Sequence, residues 1–90
     1  VVMTSDGYPG NYETGAEITG IRKASEHGLV VHAGTSIQGD GTLITDGGRV
    51  LGVVGSGETI RDSLIAAYAG VGEIGFRGAS YRRDIGERAV

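Results

Sequence analysis

The stretch LVVHAGTSIQGDGTLITDGGRVLGVV, Leu29 to Val54, decides the fold. Runs rich in Val, Ile, Leu and Thr alternate in it with two glycine turns. Gly39-Asp40-Gly41 is a hairpin signal, because these residue types reach the positive φ that tight turns demand. Leu29 to Ile37 opens as a strand, and Thr42 to Thr45 (TLIT) is the return strand. Asp46-Gly47-Gly48 makes a second tight turn, and Arg49 to Val54 (RVLGVV) is the next strand. Side chains alternate across a strand, so Val50, Gly52 and Val54 share one face and Leu51 and Val53 the other. Two short turns in succession predict an antiparallel meander.

Downstream of this stretch, Ile60, Leu64, Tyr68, Val71 and Ile74 recur with a 3.6-residue period, which predicts one apolar face of a helix running from Thr59 to about Ile74. Thr59 with Asp62 three residues on resembles a capping box. Upstream, Val1 to Thr4 reads as a strand and Ser5 to Gly15 as a loop. A short helix is expected over Ile21–His27, with Gly28 as its stop. The end, Phe76 to Val90, is expected to be a short strand or irregular, followed by a helical turn. No internal repeat and no domain boundary is visible, so residues 1–90 are expected to form one domain.

Composition narrows the class. The 90 residues include no cysteine, which excludes a disulfide framework, a thiolate metal site and a thiol nucleophile. A reducing, cytoplasmic compartment is the expectation. Eight basic against eleven acidic side chains give a net charge of −3, which argues against a nucleic-acid partner. No apolar run approaches the ~20 residues of a membrane-spanning helix. Eighteen glycines are 20% of the chain, against roughly 7% in ordinary proteins. That much glycine makes folding entropically costly for so short a chain. With a start that lacks an initiator methionine, it predicts a piece of a longer polypeptide.

Few residues are candidates for chemistry. Gly55-Ser56-Gly57 follows a strand and opens a helix, the context of a dinucleotide-binding turn. Ile60 stands where the third glycine belongs, so a loop capping a helix is the simpler reading. His27 and His32 are the only histidines, five residues apart, a spacing that suits neither one helix face nor one strand face. Zinc is not expected. His27 suits a helix C-terminus, and His32 is a candidate polar contact on a strand. No G-x-S-x-G elbow and no paired carboxylates mark a catalytic residue. Arg49, after two glycines, presents a guanidinium fork suited to an anion. If the meander pairs in order, Arg49 lies across from Thr42–Thr45, and Gly34-Thr35 approaches the same end. Arg82 and Arg83 are further candidates for polar contacts, with Asp84 at hand to neutralise one of them. For each arginine the alternative is a solvated side chain or a weak ion pair.

Four segments together are more specific. SDGYPGNYETGAEITG (Ser5–Gly20), HAGT (His32–Thr35), DGGRVLGVVGSGETI (Asp46–Ile60) and YRRDIGERAV (Tyr81–Val90) resemble the C-terminal domain of the phosphoribosylamine–glycine ligases, also called glycinamide ribonucleotide synthetases. The resemblance runs from end to end. It implies an α+β fold, a small antiparallel sheet with helices on one side, in agreement with the meander-plus-helix reading. It implies a carbon–nitrogen ligase of purine biosynthesis on an ATP-grasp scaffold, using ATP and Mg2+ to join glycine to phosphoribosylamine through glycyl phosphate. The ATP-gripping lysines and metal-binding acids of the family lie upstream of the matched segment. The resemblance therefore implies that this chain supplies no catalytic residue and no metal ligand, works with upstream domains of the same polypeptide, and is inactive alone. In related ligases a Gly-Lys followed after a hairpin by Gly-Arg holds the ribose phosphate. Gly34-Thr35 and Gly48-Arg49 resemble that pair, with Thr35 in place of the lysine and Arg49 as the main charge. The competing expectation is a stand-alone α+β module that binds an anion or a partner without catalysis.

Overall fold

The computed structural model describes residues 1–85. Four strands form one antiparallel sheet: β1 (Val2–Ser5), β2 (Leu29–His32), β5 (Arg49–Val54) and β6 (Ala79–Tyr81), in the spatial order β2-β5-β1-β6. Strands β3 (Thr35–Ile37) and β4 (Leu43–Thr45) form a separate hairpin. Two helices, α1 (Ile21–Ala24) and α2 (Ile60–Glu73), pack against each other, and α2 lies on β5.

The sheet is antiparallel, as the turns imply, but its strands do not pair in chain order. Strand β5 pairs with β2 and β1, and Arg49 stands opposite Thr4 of β1 rather than opposite Thr42–Thr45. The reason lies in the other edge of β4. Residues 15–18 run along it: Gly15 N donates to Thr45 O at 2.7 Å, Thr45 N to Ala16 O at 2.8 Å, and Ile18 N to Leu43 O at 2.8 Å. With β3 on its first edge and this segment on its second, β4 has no free donors for β5. The expected strand Leu29–Ile37 also divides. Ala33 N and Gly34 N both donate to Val50 O at 3.0 Å, which closes the β2–β5 ladder and turns the chain out into the hairpin.

The core lies between the sheet and the helices. Met3, Leu51 and Val53 are almost fully buried on the sheet side, with Ala67, Val71, Ile74 and Ala24 facing them from the helices and their flanks. Gly70 is where α2 and β5 come closest. A Cβ there would stand 2.8 Å from Val53 Cγ1, so a larger residue would have to displace the Val53 side chain. Thr59 caps α2 as expected, its hydroxyl accepting from Asp62 N at 3.0 Å. The buried face of α2 is turned from the expected one. Ala67, Gly70 and Val71 are buried, Leu64 and Tyr68 are half-buried, and Ile60 is 55% exposed. The first turn of α2 projects beyond the core, so apolar period alone misplaced Ile60. The helical turn expected at the end of the chain lies outside the described residues.

This packing predicts a contrast measurable by urea denaturation. Leu51→Ala should cost about 2–5 kcal/mol by opening a cavity in the core. Ile60→Ala should stay within about 0.5 kcal/mol of the parent, as exposed substitutions do. Equal losses for the two would show that the helix is packed in the other phase.

Candidate functional site

The end of β5 where Arg49 sits is the meeting point of three backbone segments. Asp46 N donates to Gly34 O at 2.7 Å, and Gly34 N donates to Val50 O. A Cβ on Gly34 would stand 2.6 Å from Arg49 O and 2.8 Å from Gly47 Cα. No larger residue could occupy position 34 without parting the two segments. On the far side, Ser5 N donates to Gly48 O at 2.8 Å, and Ser5 Oγ donates to Gly47 O at 3.3 Å. Gly34-Thr35 and Gly48-Arg49 are thus neighbours, as the sequence suggested, although the connecting strands pair differently.

The details of that neighbourhood are partly new. Gly48 does not offer open backbone to a ligand. Gly48 is buried, and the Tyr8 ring fills the space a Cβ would need. Tyr8 in turn meets Tyr12 edge-on, with ring centroids 5.8 Å apart. Neither tyrosine was singled out from sequence. The usable signal was a side-chain-free Gly-Gly pair together with an aromatic in a glycine-rich loop. Gly34 N–H is already committed to Val50 O, so this glycine provides closeness rather than a donor. Thr35 is half-buried, and its Oγ1 lies 3.0 Å from Nδ1 of the exposed His32. Arg49 is exposed, and among the described residues it has no ion-pair partner.

The other candidates are placed elsewhere. Arg82 forms a two-pronged bond to Asp84, Nε to Oδ1 at 3.0 Å and Nη2 to Oδ2 at 2.8 Å. Arg83 lies over the Tyr81 ring, 5.0 Å from its centroid. Tyr68 fastens this segment to α2: its hydroxyl donates to Arg82 O at 2.8 Å and accepts from Ile85 N at 3.1 Å. His27 reaches Glu73 at 3.9 Å, linking the C-terminal ends of the two helices. Gly55 and Gly57 are pressed onto α2, against Ala67 and Asp62, so packing accounts for them without a nucleotide. Among the described residues no group of three or more His, Asp or Glu side chains is placed to hold a metal ion, and no helix is long and apolar enough to cross a membrane.

Residues 1–88 match the family model described as phosphoribosylglycinamide synthetase, C domain. The chain belongs to that family. It is 52% identical, over 98% of its length, to a phosphoribosylamine–glycine ligase from Nostoc, and covers 21% of that relative. It is 53% identical over its whole length to the trifunctional purine biosynthetic protein adenosine-3 of Gallus gallus, of which it covers 9%. A crystal structure of a phosphoribosylamine–glycine ligase from Thermotoga maritima superposes with a TM-score of 0.82 at 43% identity, over 93% of this chain and 20% of that one. The chain thus spans about a fifth of the length of its ligase relatives. The α+β architecture, an antiparallel sheet with helices packed on it, is shared with the matched part of the Thermotoga maritima structure.

The Arg82–Asp84 fork makes a pH prediction. It holds the Asp84 carboxyl below the usual carboxylate range and raises Arg82. A carboxyl with a lowered folded-state pKa contributes above its ordinary pKa and loses that contribution as pH falls through the lowered value. Followed by NMR, Asp84 should titrate below the ordinary value of about 3.9, and Arg82→Ala should return it there. An ordinary midpoint in the parent would show that the fork is not held in solution.

Proposed function

We propose that this chain is the C domain of a phosphoribosylamine–glycine ligase, and that it holds the ribose phosphate of phosphoribosylamine at the end of β5. The reading takes residues 1–90 as one domain of a longer cytoplasmic ATP-grasp enzyme. That enzyme joins glycine to phosphoribosylamine in purine biosynthesis. The family match carries the reaction. The observation that supports the site is the juxtaposition of the Gly34-Thr35 and Gly48-Arg49 backbone segments, with the exposed Arg49 guanidinium free of an ion-pair partner among the described residues.

A substrate phosphate is dianionic near neutral pH and needs a fixed cation with directed donors. Arg49 supplies a permanent charge and a planar fork, held on a strand that is paired along both edges. Thr35 supplies the second donor. In the tautomer that carries its hydrogen on Nδ1, His32 donates to Oγ1 and leaves the threonine hydrogen free to donate to a phosphate oxygen. Gly34 and Gly48 enter through the close approach of the two segments, and Tyr8 fixes the Gly48 side.

ATP and Mg2+ belong to the whole enzyme in this reading. The acidic donors described here form no cluster suited to the metal, so no step of phosphoryl transfer is assigned to this segment. The chain alone is expected to be inactive.

Steady-state kinetics of the complete enzyme test the site. Arg49→Ala should raise KM for phosphoribosylamine roughly 10- to 150-fold, the equivalent of about 1.5–3 kcal/mol for a charge-assisted bond. The loss should fall in KM rather than kcat, since the phosphate is held alike in ground and transition states, and the parameters for ATP and glycine should move little. Arg49→Lys should recover part of the loss, because it keeps the charge and forfeits the fork. A normally folded Arg49→Ala enzyme with an unchanged KM would return Arg49 to a solvated strand-end arginine.

A further inference from the structure

A phosphate monoester carries close to two negative charges near neutral pH. Arg49 offsets one of them. The segments that meet at Gly34 and Gly48 are residues 5–8, 32–37 and 46–50, and their only basic side chains are Arg49 and His32. The other arginines and the lysine among the described residues lie elsewhere. Arg22 and Lys23 are on α1, Arg61 is on α2, Arg77 and Arg82 pair with Glu13 and Asp84, and Arg83 lies over Tyr81.

His32 is the last residue of β2, at the edge of the sheet, where β5 sets Leu51 opposite it. Its ring is exposed, and Nδ1 lies 3.0 Å from Thr35 Oγ1. The charged groups on the elements around it are Asp46 and Arg49, in the turn before β5 and at its start, and Arg22 and Lys23 on α1, which packs on β2. Strand β3 carries none. Among the described residues no carboxylate forms an ion pair with the His32 ring. The imidazole is thus tied to Thr35 and to no other charged partner.

We propose that His32 is the second cation of the phosphate site and takes up a proton from solvent as the phosphate binds. A neutral imidazole has one donor and one acceptor nitrogen, and the cation has two donors. With the ring hydrogen on Nε2, Nδ1 accepts the Thr35 hydrogen, and the hydroxyl has none left for a ligand. A proton added at Nδ1 reverses that bond. The ring then donates to Oγ1, and the threonine hydrogen turns to a phosphate oxygen. With the ring hydrogen already on Nδ1, the proton adds at Nε2 and the same cation results. The buffer supplies the proton, and no bond to phosphorus changes. A nearby anion favours the charged form of an imidazole, whose charge ordinarily changes between about pH 5 and 8. Binding above that range therefore draws in a proton. His32 acts on the phosphate through Thr35, as a positioning residue that also brings charge. The inference rests on reading the end of β5 as the phosphate site.

Calorimetric titration of the complete ligase with ribose 5-phosphate tests it at about pH 8, where the free phosphate is already a dianion. Two buffers of different ionisation enthalpy make the heat count protons. The parent should take up a measurable fraction of a proton for each phosphate bound. His32→Asn keeps an amide donor for Thr35 but has no group to protonate. It should bind several-fold more weakly, with the uptake abolished. Binding without uptake in the parent would overturn the proposal, as would uptake that persists in His32→Asn. Arg49→Ala separates the two readings. Binding that needs Arg49 but draws in no proton ends the present inference alone. Binding indifferent to Arg49→Ala, or no binding at all, ends the phosphate reading and this inference with it.

Discussion

Strand β5 is hydrogen-bonded along both edges and packed by α2 on one face, and every other feature is arranged around that fact. Its two ladders hold β2 on one edge and β1 on the other. Its buried side chains, Leu51 and Val53, anchor the core. Its first residue, Arg49, is consequently held on a rigid support while its guanidinium stays in solvent. A loop could carry the same charge but could not hold it in place.

The turns, the strand positions and the cap of α2 were legible in the sequence, because each depends on a few adjacent residues. Strand partnership was not. Nothing local in Thr42–Thr45 states that residues 15–18 will occupy its outer edge, and that occupation is what sends β5 to β1 and β2. The burial phase of α2 was legible for Val71 and Ile74 and failed at Ile60. Periodicity reports which residues share a side, not how far along the helix the core extends.

The site was legible in outline for a different reason. Gly34-Thr35 and Gly48-Arg49 lie at the two ends of a nested hairpin, so they meet under either strand order. Tyr8 was not legible, because its contact with Gly48 crosses from the first loop to the turn before the fifth strand. The glycines show the same division. Gly34 and Gly48 are glycine because backbone or an aromatic ring stands against them, whereas a Cβ on Gly52 would meet only Val1 O, at an ordinary 3.5 Å. The first kind is explained within this chain, and the second is not.

The central claim is that the geometry at the end of β5 exists to hold a phosphate. A crystal structure of the complete enzyme with a stable analogue of phosphoribosylamine tests it most directly. The account predicts the phosphate within hydrogen-bond distance of the Arg49 guanidinium and the Thr35 hydroxyl, with His32 Nδ1 still on Thr35. A phosphate bound on another domain, with Arg49 left in solvent, would contradict it.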